Sequence, residues 1–163
     1  MALAKTANVD ATASAAKLPC IDEHTITISV DDPMCVWRAL GDVLARSRVP
    51  GFGRSHVPRF MRVDPGKRSG DPLHIGSTLP GFTVVGADPC RELALQGQHR
   101  FSSYALIFRL ATGEHRTTLS AETRAAFPGI GGRVYRGLVI GTRGHVLVVR
   151  GVLRAARRRA EWR

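Results

Sequence analysis

Residues 24–30, His-Thr-Ile-Thr-Ile-Ser-Val, alternate polar and apolar, so that Ile26, Ile28 and Val30 fall on one face. A period of two is that of a half-buried strand. The strand runs into Asp31-Asp32-Pro33, where an acidic cap followed by proline at the first helical position satisfies free amides and complements the positive end of a helix. The predicted helix carries Val36, Trp37, Leu40, Val43 and Leu44 at steps of three and four and ends before Pro50-Gly51. From Val49 to Pro80 glycine, proline, arginine and serine break the pattern, and only short strands near Arg59–Val63 and Ile75–Leu79 are expected. Four strand-like runs follow, Phe82–Val85, Glu92–Gln98, Ser102–Ala111 and Arg116–Ala126, separated by turn signals at Asp88-Pro89, around His99-Arg100 and at Thr112-Gly113-Glu114. Connections this short join antiparallel neighbours, so the runs form a meander. One face of it carries Tyr104, Leu106, Phe108 and Leu110, continued by Leu119, Ala121, Thr123 and Ala125, and that single apolar face needs a cover.

The cover is a C-terminal helix. After the turn Phe127-Pro128-Gly129-Ile130-Gly131-Gly132, the positions Tyr135, Leu138, Thr142, His145, Val149 and Val152 recur at steps of three and four, predicting a helix from Arg133 to about Arg159. Arg136, Arg143, Arg150 and Arg157 recur every seven residues beside that seam. Gly137, Gly141, Gly144 and Gly151 each cost roughly 1 kcal/mol against alanine in a helix interior. The helix must therefore be held by packing; close approach to a neighbouring surface is the expected reason for the glycines, and a kink near Gly141 the alternative. The fold class expected is α+β, with an antiparallel sheet closed by a long C-terminal helix over an apolar cavity.

The order strand, helix, meander, long helix resembles the helix-grip fold of the START-like or SRPBCC superfamily. The resemblance is carried by Ser29-Val30-Asp31-Asp32-Pro33 through Val36-Trp37-Arg38-Ala39-Leu40, and by Pro80-Gly81-Phe82-Thr83-Val84-Val85, Gly97-Gln98-His99-Arg100-Phe101 with Tyr104, Ala121-Glu122-Thr123-Arg124, and Tyr135-Arg136-Gly137 to Gly141-Thr142-Arg143-Gly144-His145. It spans about residues 22 to 160 and looks most like bacterial members of that superfamily. It implies a curved sheet gripping a helix around a ligand cavity. Lipid-transfer domains and polyketide cyclases both occur there, and none of these motifs is a catalytic signature.

Composition narrows the class. At 44% hydrophobic and 23% charged residues the chain is an ordinary globular mixture. Residues 1–20, rich in alanine, threonine and serine, read as a disordered tail without the apolar core of a secretory signal, and residues 21–163 as a single domain. The most apolar stretch, Val134–Leu153, is interrupted by Arg136, Arg143 and Arg150, which argues against a membrane span. Cys20, Cys35 and Cys90 show no ligand or redox spacing and are assigned no role; with them the expected compartment is the reducing cytoplasm. The net charge of +11 sits in two segments: Arg46–Arg68 holds seven basic residues against Asp64, and Arg150–Arg163 holds six arginines against Glu161.

The expected function is binding of a small hydrophobic ligand, a lipid or a polycyclic, polyketide-like metabolite, between sheet and helix. Its lining would be His99, Tyr104, Phe108, Thr123, Tyr135, Thr142 and His145, a few polar groups among aliphatic walls. No cofactor, metal ligand set or catalytic residue is assigned. Glu122 has the opposite strand parity from Ala121 and Thr123, so it should face away from the ligand and pair with Arg124 or Arg109. Gly129-Ile130-Gly131-Gly132 lacks the Lys-Ser/Thr of a phosphate loop and reads as a turn. Two alternatives stay open: a cyclase-like enzyme, and a basic interaction module working through Arg154, Arg157, Arg158 and Arg159. For the latter an anionic membrane is favoured over nucleic acid, since only Trp162 and Phe60 lie near the basic segments as stacking aromatics.

Overall fold

The computed structural model of the chain describes residues 15, 17–46, 67–99, 102–129, 132, 136 and 144–162, the side chain of His99 excepted. Within them the alternating runs become β1 (Cys20–Ile28), β2 (Thr78–Leu79), β3 (Phe82–Asp88), β4 (Glu92–His99), β5 (Ser102–Gly113) and β6 (Arg116–Ala126), and the two helical periodicities become α1 (Pro33–Arg46) and α2 (Gly144–Glu161). The sheet is antiparallel with order β1-β6-β5-β4-β3-β2. Strands β3 to β6 form the expected meander, extended by the short β2 beside β3, and β1 adds to its far edge beside β6.

Local chemistry sets the corners. Asp32 Oδ1 accepts the Met34 amide at 2.9 Å, with Pro33 opening α1. At the other end of α1, the Arg68 guanidinium donates to the carbonyls of Leu44, at 2.8 Å, and Ala45, which occupies acceptors the helix itself leaves free. Pro80-Gly81 turns β2 into β3, with Gly81 at φ 84°, the left-handed position that favours glycine after proline.

The inner face of the sheet presents Ile28, Val84, Leu93, Leu95, Phe108, Leu119 and Ala121. Against it pack Val36, Trp37, Leu40 and Leu44 of α1 and Val149, Val152, Leu153, Ala156 and Ala160 of α2. Burial of these side chains, at about 25 cal/mol per Å² of apolar surface, is what holds α2 in place despite its glycines, Gly144 and Gly151.

Several expectations are revised. The first strand begins at Cys20 rather than residue 24, because the Pro19 carbonyl accepts the Ala125 amide at 3.0 Å and a bulge between Cys20 and Asp22 carries the pairing onward. Val30 leaves the strand as the chain turns toward the helix cap, its carbonyl accepting the Thr117 hydroxyl at 2.9 Å. The strand expected at Ile75–Leu79 shrinks to Thr78–Leu79, and Ile75 is half exposed. The outer face is not wholly polar: Ala94, Ala105 and Ile107 are buried there. Gly151 has no neighbour near the position of a Cβ, so close packing does not explain it. The strand expected at Arg59–Val63 and, apart from residues 132 and 136, the segment 130–143 with Tyr135, Gly141 and Thr142 lie outside the described residues.

Candidate functional site

Asp22 and His24 precede Ile26 and Ile28 at two-residue spacing and so share their face of β1, toward the core. Thr123 of β6 is the register partner of Asp22, and Ala121 that of His24. Over this corner comes the first turn of α2, which places His145 Nε2 at 2.9 Å from Asp22 Oδ2. A carboxylate only accepts hydrogen bonds, so Nε2 carries the proton of that contact. His24 Nε2 lies 3.5 Å from the same oxygen. The side chains of Asp22, His24 and His145 keep only 20%, 17% and 16% of their exposure.

Four atoms of this cluster are buried without a hydrogen-bond partner among the described residues: Asp22 Oδ1, His24 Nε2, Thr123 Oγ1 and His145 Nδ1. Each such group costs roughly 1–3 kcal/mol when left unpaired, and here they come from three elements to one corner. With Nε2 held by Asp22, a neutral His145 offers Nδ1 as an acceptor. A hydroxyl bound at that atom would both be oriented by it and be able to hand it a proton. Among the described residues no group of three His, Cys, Asp or Glu side chains has metal-binding geometry.

Of the residues anticipated from sequence, Thr123 and His145 are brought together here. Phe108 is fully buried in the core one row along the sheet, opposite Ala121. Tyr104 stands on the same inner face, but its hydroxyl donates to the Gly81 carbonyl at 2.8 Å and its ring meets Phe82 edge-on at 5.2 Å. His99 ends β4 opposite Ser102. Asp22 and His24 were not anticipated, although their parity with Ile26 and Ile28 was the signal.

Glu122 faces outward as its parity requires, and Arg109 Nη1 at 2.6 Å and Arg124 Nη2 at 2.5 Å both reach it, Arg109 also reaching Glu92 at 2.9 Å. Burial pushes the Glu122 carboxyl up, but the hydrogen bonds and charges of the two arginines outweigh it and hold the group below its ordinary value. The basic residues of α2 divide: Arg154, Arg157 and Arg158 are exposed, whereas Arg159 is tied to Asp42 at 2.8 Å. Cys20, Cys35 and Cys90 are free thiols. The thiol of Cys90 is pushed up by burial and by Asp32.

No protein-family model matches the sequence, and no curated protein matches it. Solved structures do. The aromatase/cyclase Zhui from Streptomyces sp. R1128 superposes with a TM-score of 0.50 at 16% identity, over 87% of this chain and 95% of its own. The Mll3558 protein from Rhizobium loti does so with a TM-score of 0.50 at 18% identity, over 86% of this chain and 99% of its own. Element order, antiparallel sheet and closing helix agree with these, and the chain has the α+β helix-grip fold.

Proposed function

We propose that the protein binds a small, largely apolar molecule carrying at least one hydroxyl, held between the inner sheet face and α2, with the hydroxyl received at the Asp22–His24–Thr123–His145 corner. The observation that carries this reading is the set of four buried polar atoms without a hydrogen-bond partner meeting at one end of an otherwise apolar interface. A few convergent polar groups in apolar surroundings are how small-molecule sites fix orientation. Tyr104 would contribute the accessible part of its ring on the same face, with Phe108 buried behind it, and His99, Tyr135 and Thr142 belong to the proposed lining.

The donor and acceptor pattern selects within the hydrophobic class. Asp22 Oδ1 can only accept, and a ligand carboxylate brought beside it would meet a like charge. A fatty acid is thus disfavoured against a phenolic or alcoholic polycycle. A polyketide-like metabolite fits that description, and the fold shared with an aromatase/cyclase supports it.

Calorimetric titration with 1,8-dihydroxyanthraquinone, with unsubstituted anthraquinone and palmitate as comparisons, tests the reading. The dihydroxy compound should bind saturably and the other two at least tenfold more weakly. His145→Ala or Asp22→Ala should weaken it by roughly tenfold or more, the loss of a hydrogen bond to a charged or buried partner. Thr123→Val, which keeps the side-chain shape, should weaken it less while leaving the circular dichroism unchanged. Equal binding of all three compounds, or of all variants, would sink the proposal.

A further inference from the structure

The outward side of α2 carries a second pattern that the ligand reading does not use. Residues 144, 147, 150, 151, 154, 157, 158 and 161 form its exposed stripe. Four of them are arginines, Arg150, Arg154, Arg157 and Arg158, and within the stripe only Glu161 opposes them, 3.9 Å from Arg157. Of the three large hydrophobic residues most exposed among the described residues, two belong to this side: Leu147, at 71%, within the row, and Trp162, at 89%, directly after its last residue. The distance between them along the helix is about 22 Å at 1.5 Å per residue.

The end of the row opens into a groove of about 730 Å³ between α1 and α2, lined by Arg46, Arg158, Arg159 and Trp162 together with Asp42, Val43 and Ala155. Arg46 begins one of the two basic segments and Arg158 belongs to the other. Folding has brought both to one end of the molecule, and Arg68, which closes the first segment, is fastened to the last turn of α1. Arg46 and Arg158, 112 positions apart in the sequence, thus line one groove.

We propose that this stripe is a docking surface for an anionic phospholipid membrane, with α2 lying along the interface, its arginines on lipid phosphates and Leu147 and Trp162 entering the headgroup layer. Charge complementarity identifies an anionic occupant. The apolar pair identifies a membrane rather than nucleic acid, because an aliphatic Leu147 has nothing to stack on a base, while exposed leucine and tryptophan beside basic residues are what an interfacial helix inserts. Arginine stems add apolar reach of their own. Contact of this kind needs no spanning segment, and no described helix is long and apolar enough to cross a bilayer. The inference stands apart from the ligand reading and uses none of its residues.

The chain holds two tryptophans, Trp162 in the stripe and Trp37 buried at 4%, so vesicle binding has its own signal. Adding vesicles of phosphatidylcholine with 30% phosphatidylglycerol should shift tryptophan emission to the blue and pull the protein down on sedimentation, while pure phosphatidylcholine should do neither. Raising salt from 0.1 to 0.5 M should reverse most of the binding. The triple variant Arg154→Glu/Arg157→Glu/Arg158→Glu should lower the partition coefficient on the order of a hundredfold. The pair Leu147→Ser/Trp162→Ala should lower it by about tenfold at unchanged charge. All these positions are exposed, and circular dichroism should show every variant folded. Absence of sedimentation with anionic vesicles, unchanged binding by either variant, or salt-sensitive binding to a 20-base-pair duplex with none to vesicles would overturn the proposal.

Discussion

Gly97 shows how tightly one residue can hold three segments. It faces Tyr104 across the β4–β5 pair, and a Cβ there would lie 2.1 Å from the Gly81 carbonyl oxygen and 2.3 Å from the Tyr104 ring. Only a bare backbone lets the ring lie flat across the strand, stretch its hydroxyl to Gly81 and set its edge on Phe82. Gly97→Ala should cost about 2–3 kcal/mol through overpacking against backbone that cannot retreat. Tyr104→Phe, which keeps the ring and loses the hydrogen bond, should cost about 1 kcal/mol. Urea denaturation of both variants checks the ordering, and a Gly97→Ala midpoint equal to that of the parent would refute the packing argument. Residue types alone suggested Tyr104 as a ligand contact; only the third dimension reveals that its hydroxyl is already engaged, because Gly81 lies 23 positions away in the chain.

At the scale of elements, periodicity was legible wherever one face is buried and the ends are chemically marked. Asp32-Pro33 announced α1, and Arg116–Ala126 was bounded correctly because Thr112-Gly113-Glu114 and Phe127-Pro128 frame it. Asp22 escaped because it lies ahead of the predicted strand, and His24 because a polar residue opening an alternating run drew no attention to its side. Parity puts them on the core face, yet nothing local says that the start of a distant helix will cover them. Burial of Ala94, Ala105 and Ile107 escaped for a related reason: two of the three are alanines, which carry little hydrophobic signal, and Ile107 is the one large apolar side chain that β5 turns to the outer face, so period two assigns that face to solvent. Helix α2 was legible from its seam, His145, Val149 and Val152, while its glycine at 151 was misjudged. Gly151 is exposed and a Cβ would meet nothing within 4 Å, so no packing reason opposes a side chain there. Gly151→Ala should therefore stabilise by up to about 1 kcal/mol, raising the melting temperature by roughly 2–4 °C for a chain of this size. Calorimetry reads it directly. A lower melting temperature would mean that the glycine serves a contact or a motion of α2 that the folded structure does not display.

For the molecule as a whole, the sheet divides two kinds of chemistry. Its inner face is apolar with one polar corner, and its outer face carries a connected set of charges, Glu92, Arg109, Glu122 and Arg124, that ties β4, β5 and β6 together and reaches the chain ahead of β1 through the Leu18 carbonyl, 2.9 Å from Arg124 Nη1. Glu122 is the hinge of that set, nearly inaccessible and shared by two guanidinium groups. Its replacement by glutamine removes the carboxylate that both arginines share, leaving Arg109 with Glu92 alone. Breaking a buried pair costs about 3–5 kcal/mol; with Arg109 still 41% exposed, solvent should screen part of this, and about 2 kcal/mol is expected at neutral pH. The pH dependence follows from the direction of the shift. Because the folded carboxyl ionises below its ordinary value of 4.5, its contribution is complete above that value and is lost as the pH falls through the folded one, where parent and Glu122→Gln are both uncharged at this position. The stability gap between the two proteins should thus be widest at pH 7 and shrink steadily below pH 4.5. Paired urea titrations at pH 7 and pH 3 measure it, and a gap that stays constant between them would show that Glu122 acts through packing alone and that its charge does not hold the outer face together.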